Sequence, residues 1–163
     1  MKFRTPFILA LLAALLAFVL AACGSDPATL ADIPAYDGAT AVQPGEDAVA
    51  DTLVQNMEQD ASLRGSLGVG GSIEQMAYRL PADTTWEQVK GFYNGALGDA
   101  GWESGTGGPG GDLASSIMES ASASNPLFQT SLWSRDDQTL TLVRTVNPTN
   151  EAEVYLILSL NTN

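Results

Sequence analysis

The run Thr139-Leu140-Thr141-Leu142-Val143-Arg144-Thr145-Val146, followed by Asn147-Pro148-Thr149-Asn150 and then Glu151-Ala152-Glu153-Val154-Tyr155-Leu156-Ile157-Leu158-Ser159-Leu160, decides the fold. Thr139 to Val146 is β-branched and apolar, Asn-Pro-Thr-Asn is a turn, and Val154, Leu156, Leu158 and Leu160 alternate along the second arm. Two such runs joined by turn residues form an antiparallel hairpin. Upstream, Leu132 and Trp133 lead through Ser134-Arg135-Asp136-Asp137 into the same run and extend it to a meander. Further upstream, Met76, Tyr78 and Leu80 alternate with Ala77 and Arg79, and Pro81 ends that strand.

A helix follows at once. Thr84 and Glu87 have the spacing of a capping box, and Trp86, Val89, Tyr93, Ala96, Leu97 and Ala100 fall on one face. Gly101 supplies the left-handed cap that turns Trp102 back onto Leu97. Val49, Leu53, Val54 and Met57 mark a second amphipathic helix within residues 45–61. Glycines then break the chain between Leu63 and Ser72, and Pro34 and Gly38 bracket a turn that packs Tyr36 and Ala39 inward. The expected class is α+β: an antiparallel sheet of about four to five strands with one or two helices packed on one face. The domain is expected over residues 33–163, with a glycine-rich excursion around 104–125 in which Leu113, Ile117 and Met118 share one side of a short helix.

The first residues give an address. A basic start (Lys2, Arg4) and an apolar run from Phe7 to Val19 lead into Leu20-Ala21-Ala22-Cys23. The apolar run is 13 residues, which suits a signal-peptide core and falls short of the ~20 that span a bilayer. Residues 1–22 therefore read as a lipoprotein signal peptide, and Cys23, the one cysteine of the chain, as the lipidated residue. An uncleaved anchor over the 17 residues from Phe7 to Cys23 is the alternative. Gly24-Ser25-Asp26-Pro27-Ala28-Thr29 is small and polar, so residues 23–32 read as a flexible tether. Two or three acyl chains on one cysteine hold stably, where one binds only marginally.

Removing 22 residues from 163 leaves 141, with five basic and 19 acidic side chains and a net charge of −14. Such a chain is repelled by nucleic acid and by anionic headgroups, so no nucleic-acid partner is expected. A second cysteine is missing, so no disulfide within the chain contributes, and stability must come from the core. The chain has no histidine, which excludes Ser-His-Asp and Cys-His catalysis and histidine-dependent zinc sites.

Ile33-Pro34-Ala35-Tyr36-Asp37-Gly38-Ala39, Tyr78-Arg79-Leu80-Pro81, Phe92-Tyr93 and Gly101-Trp102 ahead of a terminal hairpin resemble the pattern of a group of uncharacterised bacterial lipoproteins. The resemblance spans Ile33 to Leu160 and implies export and an α+β domain; its motifs are structural and bring no catalytic residues.

Other patterns carry less. Gly105-Thr106-Gly107-Gly108-Pro109-Gly110 matches G-x-G-x-x-G formally, but no apolar strand precedes it and the domain is too small for a dinucleotide-binding fold. Asp136 with Asp137, and Glu151 with Glu153, lack the spacing of a calcium loop, so no metal and no cofactor are expected. No Ser-x-x-Lys occurs, and nothing linear pairs two carboxylates for glycoside chemistry. Gly91, Gly95 and Gly98 lie opposite the apolar face of the capped helix and offer bare backbone as a candidate interaction surface. The reading is a non-enzymatic, membrane-tethered extracytoplasmic lipoprotein that binds an unknown envelope protein or component; the alternative is a lipoprotein that binds a small molecule or metal ion. Gly24 after the cysteine is no aspartate-type retention cue, which leaves inner and outer membrane open.

Overall fold

The computed structural model describes residues 26–66, 71–105 and 111–163. A 3-10 turn at Leu30–Asp32 precedes β1 (Thr40–Val42), α1 (Ala48–Ser66), β2 (Ser72–Leu80), α2 (Trp86–Asp99), β3 (Glu103–Ser104), α3 (Gly111–Ser124), β4 (Phe128–Arg135), β5 (Gln138–Asn147) and β6 (Asn150–Thr162). The strands form one sheet in the order β1-β2-β6-β5-β4-β3, and every neighbouring pair is antiparallel. The class is α+β, with six strands where four to five were expected. The two additions are β1 and β3, of three and two residues, too short to show a period of two.

The sheet is covered on both faces, not one. On the first face, Tyr78, Leu80, Leu140, Leu142, Val154, Leu156, Leu158, Leu160 and Trp133 pack against Trp86, Val89, Tyr93 and Leu97 of α2. On the second, Ala77, Val143, Tyr155 and Ile157 meet Ala50, Val49, Leu53, Val54 and Met57 of α1. The second layer has its physical cause in β6. Val154, Leu156, Leu158 and Leu160 alternate along it, but Tyr155 and Ile157 between them are fully buried as well. A strand apolar on both sides must lie inside a sheet and needs cover above and below.

α2 is fixed at both ends. Its N-cap is Thr85, one residue later than expected: Gln88 N donates to Thr85 Oγ1 at 3.3 Å and Thr85 N donates to Gln88 Oε1 at 2.8 Å. At the other end Gly101 takes φ +80°, Gly101 N donates to the Gly98 carbonyl and Trp102 N to the Leu97 carbonyl. These are the two bonds of a Schellman motif, and they turn Trp102 into the core as the sequence requires. An aromatic chain crosses the helix from Tyr36 to Phe92 (5.4 Å between ring centres), Tyr93 (5.0 Å) and Trp133 (6.3 Å), and Trp133 Nε1 donates to Asn94 Oδ1 at 3.1 Å.

The outer edge of β4 is closed by pieces that imitate a strand. Gly105 N donates to the Leu132 carbonyl at 2.7 Å, continuing the short β3 ladder. Two residues along, Ser122 Oγ at the end of α3 accepts from Thr130 N at 2.9 Å and donates to the Thr130 carbonyl at 3.0 Å. One hydroxyl thus satisfies both backbone groups of an edge residue, which removes a template for pairing with another chain. Ile117, expected on one side of this helix with Leu113 and Met118, is 61% exposed; the Leu113 and Met118 side chains and residues 106–110 of the excursion lie outside the described residues.

Residues 30–32, expected within a flexible tether over 23–32, form a 3-10 turn in which Leu30 is buried. Leu30 and Ile33 are buried in the first core and Ala28 packs against it. Small and polar neighbours hid Leu30, while Ile33 falls inside the expected domain. Close packing recurs at Gly71, where a Cβ would overlap the Thr162 carbonyl.

Substituting Leu156 or Ile157 by alanine is expected to destabilise the fold by a similar amount, about 2–5 kcal/mol each in urea titration. A sheet covered on one face would instead leave Ile157→Ala nearly neutral.

Candidate functional site

The densest polar cluster sits on the second sheet face at the N-terminus of α1. Asp47 caps that helix: its Oδ1 accepts from Val49 N at 2.9 Å and Ala50 N at 3.2 Å. Its Oδ2 is shared by the Arg79 guanidinium of β2, in a close ion pair, and by the Tyr155 hydroxyl of β6 at 2.8 Å. The same hydroxyl lies 3.1 Å from Glu153 Oε2, so two carboxylates converge on one phenol. Asn147 Nδ2 and Asn150 Nδ2 donate to the two oxygens of Glu153 at 2.7 and 2.9 Å and tie the cluster to the β5–β6 hairpin. Asn147 Oδ1 in turn accepts from Thr149 N at 2.9 Å, which shapes the turn.

The charges follow from these contacts. Burial opposes ionisation of Asp47, but the bonds from Tyr155, Ala50, Arg79 and Val49 outweigh it and hold the carboxyl below its usual range. The Tyr155 phenol is pushed up to about 12, first by burial and then by the Asp47 carboxylate it serves. Hydrogen bonds from Asn147, Asn150 and Tyr155 lower Glu153. A general base for neutral pH needs a carboxyl raised towards 7, and both acids move the other way. The arrangement locks α1, β2 and the hairpin together.

A second polar centre lies under the loop into α2. Arg144 of β5 is 9% exposed, and its Nε and Nη2 donate to the Thr84 carbonyl at 3.3 and 3.0 Å. Its Nη1 donates to the Pro126 carbonyl at 3.3 Å and to Gln129 Oε1 at 2.9 Å. Burial lowers its pKa, against the attraction of the Glu87 charge. Thr84, read as the helix cap, instead supplies this carbonyl.

The third centre is at the opposite end of the sheet. The Gln138 side chain, 2% exposed, accepts from Ala28 N and donates to the Ala28 carbonyl, each at 2.8 Å. Its remaining capacity goes to Thr162 Oγ1 at 2.9 Å and Arg135 Nη2 at 3.3 Å, so every donor and acceptor of the amide is used. Leu30 N donates to Glu74 Oε2 at 3.0 Å beside it. Arg135 also lies 5.0 Å over the Trp102 ring.

The residues singled out in sequence do not meet in one place. Gly91, Gly95 and Gly98 are exposed on α2, and a Cβ on any of them meets nothing within 4 Å. Asp136, at φ +53°, and Asp137 form the two-residue β4–β5 turn, while Glu153 belongs to the tyrosine cluster. Among the described residues no three His, Cys, Asp or Glu side chains group as metal ligands, and no helix is long and apolar enough to cross a membrane. Cys23 and most of the glycine motif lie outside the described residues. Sequence reading missed Asp47, Tyr155, Arg144 and Gln138. A polar residue inside an apolar strand run is the signal that marks Arg144. No protein family, curated protein or solved structure matches the chain.

Tyr155→Phe is expected to cost about 1 kcal/mol at neutral pH, the worth of one hydrogen bond. Asp47 has a lowered folded-state pKa, so its contribution is present above the unfolded value of ~3.9 and is lost as pH falls through the lower folded value. The Tyr155 contribution runs the other way, present below ~10 and lost as pH rises towards about 12. Denaturation of the phenylalanine variant across pH should show both dependences reduced. On α2, replacing Gly91, Gly95 and Gly98 with alanine should stabilise by up to ~1 kcal/mol each and raise the melting midpoint, since nothing obstructs the added methyls.

Proposed function

We propose that the chain is an exported lipoprotein, held on the outer side of a membrane by acyl chains on Cys23, whose domain serves as a non-enzymatic binding module of the cell envelope. The observation that carries this reading is the junction Leu20-Ala21-Ala22-Cys23 behind a basic start and a 13-residue apolar core, with that cysteine the only one in the chain. The charge of −14 after residue 22 suits a body held off a membrane by lipid rather than by its own surface.

Asp47 and Glu153 are each engaged by several donors that stabilise their charged forms, so neither is poised as a general base at neutral pH. The Gly91, Gly95 and Gly98 strip lets a partner approach helix backbone closely, and it faces solvent.

Intact-mass analysis of the membrane-extracted protein is expected to show a chain beginning at Cys23 with diacylglycerol on its sulfur. Cys23→Ser should accumulate as the unprocessed precursor. Normal processing of that variant, or a free thiol on the native protein, would overturn the reading.

A further inference from the structure

The route of the chain into the domain fixes how the domain stands on a lipid surface. Ala28 is bound through both backbone groups to the buried Gln138 amide, and Leu30 and Ile33 sit in the core beyond it. Only residues 24–27 then separate Cys23 from the first docked residue. Five Cα steps span at most ~18 Å.

The docking point is at one extreme of the sheet. Gln138 opens β5, Thr162 closes β6, Arg135 closes β4, and Ser72, paired with Thr162, opens β2. Asn163 N donates to the Asp137 carbonyl there at 3.1 Å. The β5–β6 hairpin tip at Pro148 and Thr149 lies at the other extreme, together with the Asp47 cap of α1. β6 has 13 residues, so the two ends stand ~40 Å apart.

We propose that the clamp of Gln138 on Ala28 orients the domain on the membrane, with the Arg135–Gln138 turn and Asn163 towards the lipid and the Asn147–Asn150 hairpin away from it. The inference rests on lipid attachment at Cys23. A leash of ~18 Å keeps the clamped end close to the headgroups. Repulsion between an acidic body and anionic lipid keeps the rest from lying flat, and the leash, at about twice the ~8 Å Debye length of physiological salt, leaves room for the clamped end itself. The partner this end faces is a bilayer surface, approached without insertion.

The test uses full-length protein, lipidated in a bacterial host and reconstituted in phosphatidylcholine vesicles containing phosphatidylglycerol. Cysteines introduced by Asp137→Cys or Thr149→Cys carry a fluorophore, and a quencher sits on the lipid headgroups; both positions are exposed. Quenching should be several-fold stronger at 137 than at 149. Inserting six Gly/Ser residues between Asp26 and Pro27 leaves the clamp intact, lengthens the leash by ~20 Å, and should shrink that difference. Equal quenching at the two positions in protein that floats with the vesicles, or a difference untouched by the insertion, would overturn the orientation while leaving the lipid anchor standing. Protein that fails to float and carries an unmodified Cys23 would overturn the anchor and the orientation together.

Discussion

The structure depends on one strand whose middle, Val154 to Leu158, has no polar side. Tyr155 and Ile157 on one face of β6, and Val154, Leu156 and Leu158 on the other, are all at most 2% exposed. Each such side chain is worth about 1.5–3 kcal/mol when removed from water, so neither face can be left wet. β6 must therefore have a strand on each flank, β2 and β5, and a helix over each face, α2 and α1. The short outer strands β1 and β3 then finish the sheet, and Ser122 closes what β3 leaves open.

Polar groups occupy the margins of this core, and three of them stand in for backbone. Ser122 completes the ladder of β4, Gln138 pairs with Ala28 as a strand would, and Asp47 begins the hydrogen bonding of α1. Each is a side chain reaching across a gap where main-chain pairing stops, which is how buried donors and acceptors stay satisfied without a longer strand. The arginines work at the same margins: Arg79 on Asp47, Arg144 under the Thr84 carbonyl, Arg135 over Trp102. Among the described residues, most of the acidic side chains are exposed.

Much of this was legible in the residues. The hairpin of β5 and β6, the strand ending at Pro81, and α2 with its Gly101 exit all fall where periodicity and turn chemistry put them. The misreadings share a cause. Counting every second apolar residue along Val154 to Leu160 hid Tyr155 and Ile157, and with them the second layer. Thr84 and Thr85 both precede an acceptor three residues on, and sequence cannot choose between Glu87 and Gln88; the burial of Thr84 against Arg144 makes the choice. Gln138 looks like an ordinary strand start, because its partner is 110 residues away. The tyrosine cluster likewise joins Asp47 to a residue 108 positions distant, a contact no local pattern encodes.

The central claim is that one two-faced strand organises the core and that the leader from Ala28 is part of that core, not a loose strap. Hydrogen exchange of the mature chain, followed amide by amide, tests it directly. The Ala28 and Leu30 amides, bonded to Gln138 and Glu74, should be protected along with those of β5 and β6. Exchange of both at the rate of an unfolded chain, while β6 stays protected, would contradict it.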